Sequence, residues 1–129
     1  MGKKVVLFGP PPSVGKDPSE CLERKTEGKV LFAGGCSIDN KAAFRFDATV
    51  NEFLDKSAER YGVQIVRISD VLCSGGDCII ERNGVPVYRD AGHLSYAGSK
   101  IVFDLLRSAG KLATIESGGR ARAASEVRH

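Results

Sequence analysis

Short apolar runs and one long amphipathic pattern organise the first half of the chain. Residues 3–9 ("KKVVLFG") predict a strand buried on both faces, as in a parallel sheet, and residues 63–69 ("VQIVRIS") predict a second buried strand. Residues 29–35 ("KVLFAGG") indicate a weaker strand or an extended loop. The proline-rich segment 10–20 predicts a loop, and residues 20–25 ("ECLERK") a single helical turn.

A helix is predicted between the two buried strands. Its apolar residues recur at steps of three and four and so share one face, which we expect to be core. These residues are Ala43, Phe46, Val50, Phe53, Leu54, Ala58 and Tyr61. Asp39 or Asn40 can cap the start of this helix, and Gly62 ends it. Helix, glycine and strand in this order form half of a crossover unit, so we expect parallel pairing of the strands.

The second half of the chain predicts a hairpin followed by another helix. Residues 78–88 ("CIIERNGVPVY") contain Asn83-Gly84, the dipeptide that type I′ hairpin turns require. Ser95 is the expected N-cap of the following helix. The predicted inner face of that helix holds Ala97, Ile101, Leu105 and Ala109.

Composition and charge narrow the class of protein. A chain of 129 residues is enough for one domain with one hydrophobic core. No apolar run reaches the roughly 18 residues of a membrane-spanning helix, and the opening residues do not resemble a secretory signal. The net charge of +3 arises after residue 106, in a Gly/Ala/Ser/Arg-rich stretch. This stretch predicts a flexible basic tail at 113–129 beyond a folded body at 1–112, and not a nucleic-acid-binding face.

The segment Tyr88–Lys100 ("YRDAGHLSYAGSK") carries the most informative chemistry. Asp90 and His93 lie where a strand gives way to a helix, a junction at which α/β proteins display functional groups. A carboxylate beside an imidazole fixes the tautomer, leaves the second ring nitrogen as a base and stabilises the imidazolium. Gly92 lets the backbone bend so that both side chains can face one point. D-x-x-H is a weak pattern, and the spacing alone favours a loop aspartate and a surface histidine, so both interpretations stay open at this point.

The surrounding residues resemble a known family. Residues 71–102 ("VLCSGGDCIIERNGVPVYRDAGHLSYAGSKIV") are similar to the end of the SGNH domain of bacterial O-acyltransferases of cell-surface sugars. In that family a cysteine pair, a hairpin, a Y-x-D-x-x-H-L-S-x-x-G run and a final helix occur in this order. Here they are Cys73 and Cys78, Asn83-Gly84, then Tyr88, Asp90, His93, Leu94, Ser95 and Gly98. The similarity is specific over residues 63–106 and weaker but consistent over residues 3–25, which match the family's internal strand, proline-rich loop and cysteine.

The resemblance implies a fold and a catalytic pair. The expected fold is the three-layer α/β/α, flavodoxin-like sandwich of SGNH hydrolases, in which Asp90 orients His93 and His93 is the base for a serine. The family's serine lies in a Gly-Asp-Ser block on its first strand, and the sequence contains no Gly-Asp-Ser. We therefore expect residues 1–112 to be the C-terminal portion of such a domain. It would lack the strand with the nucleophile block and be inactive alone.

The resemblance also implies an activity and its setting. The activity would be transfer of an acyl group, usually acetyl, onto a hydroxyl of a cell-surface polysaccharide, or hydrolysis of that ester, without a cofactor or metal. The implied partners are an acylated sugar or acyl donor, the N-terminal part of the domain and a membrane acyltransferase domain; an exposed sheet edge would also allow a homo-oligomer. The family is periplasmic, which fits disulfides Cys21–Cys36 and Cys73–Cys78. Made alone without a signal, the chain would stay in the cytosol with reduced cysteines.

Several alternative functions are also compatible with single features of the sequence. Residues 9–17 ("GPPPSVGKD") resemble a phosphate loop, but prolines supply no N–H groups for phosphate. Cys36 or Ser37 could be a nucleophile for His93. Four cysteines could bind zinc, although their spacing is unusual for it. Finally, the chain could be a non-catalytic, truncated remnant that serves as a binding or structural module.

Overall fold

The computed structural model describes residues 2–28, 36–113 and 115. Within them the chain alternates short strands with helices, in agreement with the predicted α/β class. The elements in chain order are β1 (Val6–Phe8), α1 (Pro18–Thr26), β2 (Ile38–Asp39), α2 (Asn40–Phe46), α3 (Ala48–Tyr61), β3 (Gln64–Val66), α4 (Ser69–Leu72), β4 (Asp77–Cys78), β5 (Glu81–Arg82), β6 (Val85–Pro86) and α5 (Tyr96–Ser108). The strand or loop predicted at 29–35 lies outside the described residues. Of the predicted tail, only residues 113 and 115 are described, and Ile115 packs against the core.

A parallel strand pair forms the centre of the fold. β1 and β3 pair in parallel with Leu7 opposite Ile65, and the pairing is extended where the Gly9 N–H donates to the Val66 carbonyl at 2.9 Å. This confirms the predicted crossover. The predicted burial of β1 on both faces is wrong, because Phe8 remains 49% exposed. In the described part of the chain β1 pairs with β3 alone, so its other edge has no neighbouring strand to cover it.

The long predicted helix is two helices that meet at Asp47. The Asp39 carboxylate caps α2 by accepting from the Ala42 N–H at 2.8 Å, and Gly62 ends α3 in the left-handed conformation at φ 63°, both as predicted. Between them, the Asp47 carboxylate accepts from the Ser13 N–H at 3.3 Å. Aspartate is a weak helix former because its side chain competes for such bonds, and here it interrupts the helix.

Most of the apolar stripe on α2 and α3 is uncovered, which contradicts the prediction that it is core. Ala43 and Leu54 are buried and Ala58 is half-buried, whereas the other four members of the stripe are exposed. The exposed members are Phe46 at the end of α2 and Val50, Phe53 and Tyr61 on α3. We call the three residues on α3 the α3 apolar face. The reason is geometric: Leu54 lies over Gly9 at the end of β1, and Asn51 binds Arg67 after β3, so the sheet covers only one side of the stripe.

The C-terminal half follows the predicted hairpin and helix, with one correction. Asn83 and Gly84 both have positive φ, at 52° and 76°, as a type I′ turn requires. Ser95 caps α5 by accepting from the Gly98 N–H at 2.8 Å. The buried face of α5 lies one residue further along than predicted, at Gly98, Val102 and Leu106. Of the predicted inner residues, Ala97, Ile101 and Leu105 are half-buried and Ala109 is exposed. Gly98 sets this orientation, because its lack of a side chain lets α5 lie directly on the Val87 backbone.

Both cysteine pairs implied by the family resemblance are present as disulfides, Cys21–Cys36 and Cys73–Cys78. The first joins α1 to the segment before β2. The helix α1 is longer than the single turn predicted, because the Asp17 carboxylate caps it and Pro18 occupies its first position. Among the described residues, no helix is long and apolar enough to cross a membrane.

Replacement of Gly98 by alanine is expected to destabilise the fold. An alanine Cβ at this position would lie 1.9 Å from the Val87 carbonyl oxygen, so helix and hairpin must separate. We expect Gly98→Ala to lower the free energy of unfolding by roughly 1–3 kcal/mol in urea titrations. The matched control is Gly75→Ala, where nothing lies within 4 Å of the added methyl group. An unchanged or higher stability of Gly98→Ala, as helix propensity alone would give, would refute this packing.

Candidate active site

The segment from Val87 to Ser95 forms a closed loop between the hairpin and α5. Two backbone bonds close it, since the Arg89 N–H donates to the His93 carbonyl and the Ser95 N–H donates to the Val87 carbonyl, both at 2.8 Å. At its tip the Gly92 N–H donates to Asp90 Oδ1 at 2.9 Å, which is a local turn of the kind that aspartate favours. The loop therefore presents Asp90 and His93 on one short, hydrogen-bonded turn.

The structure brings together Asp90 and His93, the two candidate residues identified from the sequence. His93 Nδ1 lies 2.8 Å from Asp90 Oδ1 and 3.0 Å from Oδ2. Their side chains are 68% and 46% exposed, so the pair is open to a reactant or a partner. The contact was expected; the catalytic role of the two residues stays a prediction.

The charge state of Asp90 determines the proton position on His93. The Gly92 N–H, and then the His93 side chain, hold the pKa of the Asp90 carboxyl below its usual value. The carboxylate is therefore ionised at neutral pH and can only accept hydrogen bonds. In neutral His93 the proton must then lie on Nδ1, which leaves Nε2 with a free lone pair, as a general base requires.

Contacts from the loop after β1 hold this turn in place, and sequence reasoning did not identify them. The Ser13 hydroxyl, which is buried, donates to the Ala91 carbonyl at 2.6 Å, between the two candidate residues. The Tyr88 hydroxyl donates to the Pro12 carbonyl at 2.6 Å. Burial, and then the negative charge of Asp47, raise the pKa of Tyr88 well above its ordinary value, so the hydroxyl stays protonated and keeps donating.

A second hydroxyl supports the same turn from α1. The Ser19 side chain donates to the Tyr88 carbonyl, two residues before Asp90. The turn is thus bound by two separate parts of the N-terminal region, the loop after β1 and the first turn of α1. The proline run signals a rigid loop at 10–12, but nothing in the sequence indicates which distant carbonyls Ser13 and Ser19 would bind.

The alternative nucleophiles do not meet His93. Cys36 is bonded to Cys21, so it offers no thiolate, and the proposals of a Cys36 nucleophile and of a four-cysteine zinc site are wrong. Ser37 is exposed, and within residues 2–28, 36–113 and 115 the side chain of His93 hydrogen-bonds to Asp90 alone. The same part of the chain holds no group of three or more His, Cys, Asp or Glu residues arranged around a common metal position.

Comparison with known proteins identifies the family of the chain. The family model of the SGNH domain that is fused to AT3 domains matches residues 1–108. The chain therefore belongs to the SGNH domain family, and its mixed α/β structure is consistent with part of the α/β/α fold of that family. This membership supports an acyltransferase-related role and an AT3 domain in the parent protein. Neither the curated proteins nor the solved structures contain a match.

Removal of the imidazole is expected to raise the pKa of Asp90. In His93→Ala the side-chain bond to Asp90 is lost, while the stronger Gly92 N–H bond remains, so the pKa should rise without fully regaining its ordinary value of 3.8. Titration of the carboxyl carbon by ¹³C NMR measures the change. Because folding lowers this pKa, the stabilisation it represents is present above pH 3.8 and is lost as the pH falls through the folded-state value.

The matched control for this titration is Arg89→Ala. The Arg89 side chain is as exposed as that of His93, and its Nε lies 3.7 Å from Asp90 Oδ2, beyond hydrogen-bond distance. We expect Arg89→Ala to raise the pKa of Asp90 less than His93→Ala does, because it removes a solvent-screened contact and no hydrogen bond. An Asp90 titration that moves as far in Arg89→Ala as in His93→Ala would contradict the described pair.

Proposed function

We propose that this chain supplies the acid–base half of a serine-dependent O-acyltransferase or esterase that acts on cell-surface polysaccharide. The single observation that carries the proposal is the bond between His93 Nδ1 and Asp90 at 2.8 Å. It gives the imidazole the orientation and tautomer of a general base. Asp90 and His93 would be two members of a Ser-His-Asp triad.

The chemistry needs a serine at His93 Nε2. The serine Oγ would attack the acyl carbonyl carbon while its proton passes to Nε2, and Asp90 would stabilise the resulting imidazolium. Collapse of the tetrahedral intermediate would expel the first alcohol, which takes the proton from His93, and leave the acyl group on the serine. A sugar hydroxyl or water would then repeat the sequence in reverse order and release the free serine.

The described structure offers a place for the segment that would bring this serine. The edge of β1 away from β3 is unpaired in the described residues, and Phe8 on β1 is 49% exposed. A strand placed there would gain backbone hydrogen bonds from β1 and apolar contact with Phe8. If it ran parallel to β1, its carboxyl end would emerge beside Pro12 and Ser13, which contact the Asp90–His93 turn.

Two further parts of the proposal concern partners and location. The two disulfides suit an oxidising compartment, which supports a periplasmic site for the parent protein. The membrane acyltransferase domain fused to the SGNH domain would help to deliver the acyl donor to Asp90 and His93. In the absence of the complementing strand, the open edge of β1 would favour pairing with a second copy.

The competing function is a non-catalytic binding or structural module, and the uncovered α3 apolar face is the observation that favours it. Exposed apolar surfaces of this kind mark interaction sites whether or not chemistry follows. The two functions differ in whether the partner segment carries a nucleophile, and ester hydrolysis separates them.

Hydrolysis of 4-nitrophenyl acetate tests the proposal. The 129-residue chain alone should be no faster than free imidazole, whereas the longest polypeptide encoded in frame with it should turn over. In that polypeptide His93→Ala or Asp90→Asn should lower the rate by roughly 10²- to 10⁴-fold, and the exposed neighbour variant Arg89→Ala should not.

Two results would overturn the assignment. Turnover by the 129-residue chain that is lost in His93→Ala would place the nucleophile inside it, with Ser37 the first residue to replace. Hydrolysis by the longer polypeptide that survives His93→Ala would leave the pair without a catalytic part and favour the module.

A further inference from the structure

The first disulfide lies next to the residue through which α1 supports the candidate turn. Cys21 is in α1, and its partner Cys36 lies two residues before β2. Ser19, two residues before Cys21 on the same helix, donates its hydroxyl hydrogen to the Tyr88 carbonyl. The disulfide and this hydrogen bond both attach α1 to the rest of the described structure, so a change in the disulfide is expected to affect the hydrogen bond.

The peptide group between Tyr88 and Arg89 transmits the contact from Ser19 into the turn. Its carbonyl oxygen accepts from Ser19, and its N–H donates to the His93 carbonyl at 2.8 Å. Because a peptide group is planar and rigid, these two bonds fix the orientation of one unit. Loss of the Ser19 bond would let this peptide group rotate and would weaken its bond to His93.

The helix α1 contributes little to the apolar core. Of its nine residues Pro18 alone is buried, and none of its apolar side chains belongs to the core of the described structure. A helix without a buried face depends on contacts at single points for its position. The Cys21–Cys36 bond keeps α1 in place and so gives the Ser19 hydroxyl a high effective concentration at the Tyr88 carbonyl.

The two disulfides differ in burial. Cys21 and Cys36 are half-buried, whereas Cys73 and Cys78 are only 3% and 4% exposed. Thiol–disulfide exchange requires a thiolate to reach one of the sulfur atoms, so its rate depends on access. A reductant is therefore expected to cleave the Cys21–Cys36 bond before the buried one.

We propose that Cys21–Cys36 is an exchange site for a dithiol reductant and that its reduction releases the Asp90–His93 turn from α1. A thiolate of the reductant bonds to one of the two sulfurs, and the electron pair of the Cys21–Cys36 bond leaves on the other. The second thiol of the reductant then displaces the mixed disulfide. Two electrons and two protons pass to the protein, which gains two thiols, and the reductant becomes a disulfide.

This inference rests on the proposed function only in treating the turn as an active site. The order of reduction and the hydrogen bonding of the turn are both measured without turnover, so the two proposals can fail separately.

The first experiment measures the order of reduction in the 129-residue protein. Samples in graded dithiothreitol are alkylated with iodoacetamide, and the modified cysteines are identified by peptide mass spectrometry. Cys21 and Cys36 should be alkylated at about tenfold lower dithiothreitol concentration than Cys73 and Cys78. Simultaneous or earlier reduction of Cys73–Cys78 would overturn the proposal.

The second experiment measures amide hydrogen exchange by NMR before and after reduction of Cys21–Cys36. The Arg89 N–H should exchange roughly three- to tenfold faster after reduction, as the loss of one hydrogen bond predicts. The Gly9 N–H, which donates to the Val66 carbonyl in the parallel strand pair, should keep its rate. An unchanged rate at Arg89, or an equal increase at Gly9 that indicates global unfolding, would contradict a local release of the turn.

Ser19→Ala tests whether the effect passes through Ser19. In this variant the Arg89 N–H should already exchange at the faster rate with both disulfides intact, and reduction should add little. The matched control is Thr26→Ala, because the Thr26 hydroxyl donates to the Leu22 carbonyl within the same helix. Thr26→Ala should respond to reduction like the unsubstituted protein, and a response of Ser19→Ala as large as that of Thr26→Ala would refute the coupling.

Discussion

The hydrogen bonds between the loop after β1 and the Val87–Ser95 turn are the contacts on which the site depends. The Tyr88 hydroxyl binds the Pro12 carbonyl, which is 76 positions away in the sequence. The Ser13 hydroxyl binds the Ala91 carbonyl, which is 78 positions away. Without them, Asp90 and His93 would be two exposed side chains on a surface turn. With them, the turn is attached to the carboxyl end of the parallel strand pair, where a neighbouring strand could deliver a reacting group.

The same loop also borders a hollow beside α2. Pro12 accepts the hydrogen bond from the Tyr88 hydroxyl and lines this small hollow with Asn40, Phe44 and Asn51. The α3 helix has two unlike sides, because Asn51 and Asp55 lie on one side of Leu54 and Val50 and Phe53 on the other. Its polar side binds Arg67, and its apolar side is exposed.

The sequence predicted those features that local chemistry determines. Asp39 and Ser95 cap helices, Gly62 ends one, and Asn83-Gly84 forms its turn, because each depends on a few neighbouring residues. The contact of Asp90 with His93 belongs to the same group, since three residues separate them.

The features that sequence reasoning missed depend on distant parts of the chain. Apolar residues on α5 occupy two adjacent rows, and only the approach of Gly98 to the Val87 backbone decides which row is buried. The periodicity of α3 correctly identified an apolar face, but periodicity cannot state what covers it. The contacts of Ser13 and Ser19 likewise have no sequence signal, because a serine hydroxyl can bind any carbonyl that the fold brings near.

Asp90 fixes the proton of neutral His93 on Nδ1, and ¹⁵N NMR of the imidazole nitrogens tests this tautomer most directly. With His93 neutral, we expect a protonated Nδ1 and a bare Nε2, and loss of this preference in Asp90→Ala. A neutral ring protonated mainly on Nε2, or the same tautomer in both proteins, would show that Asp90 does not set the position of the proton.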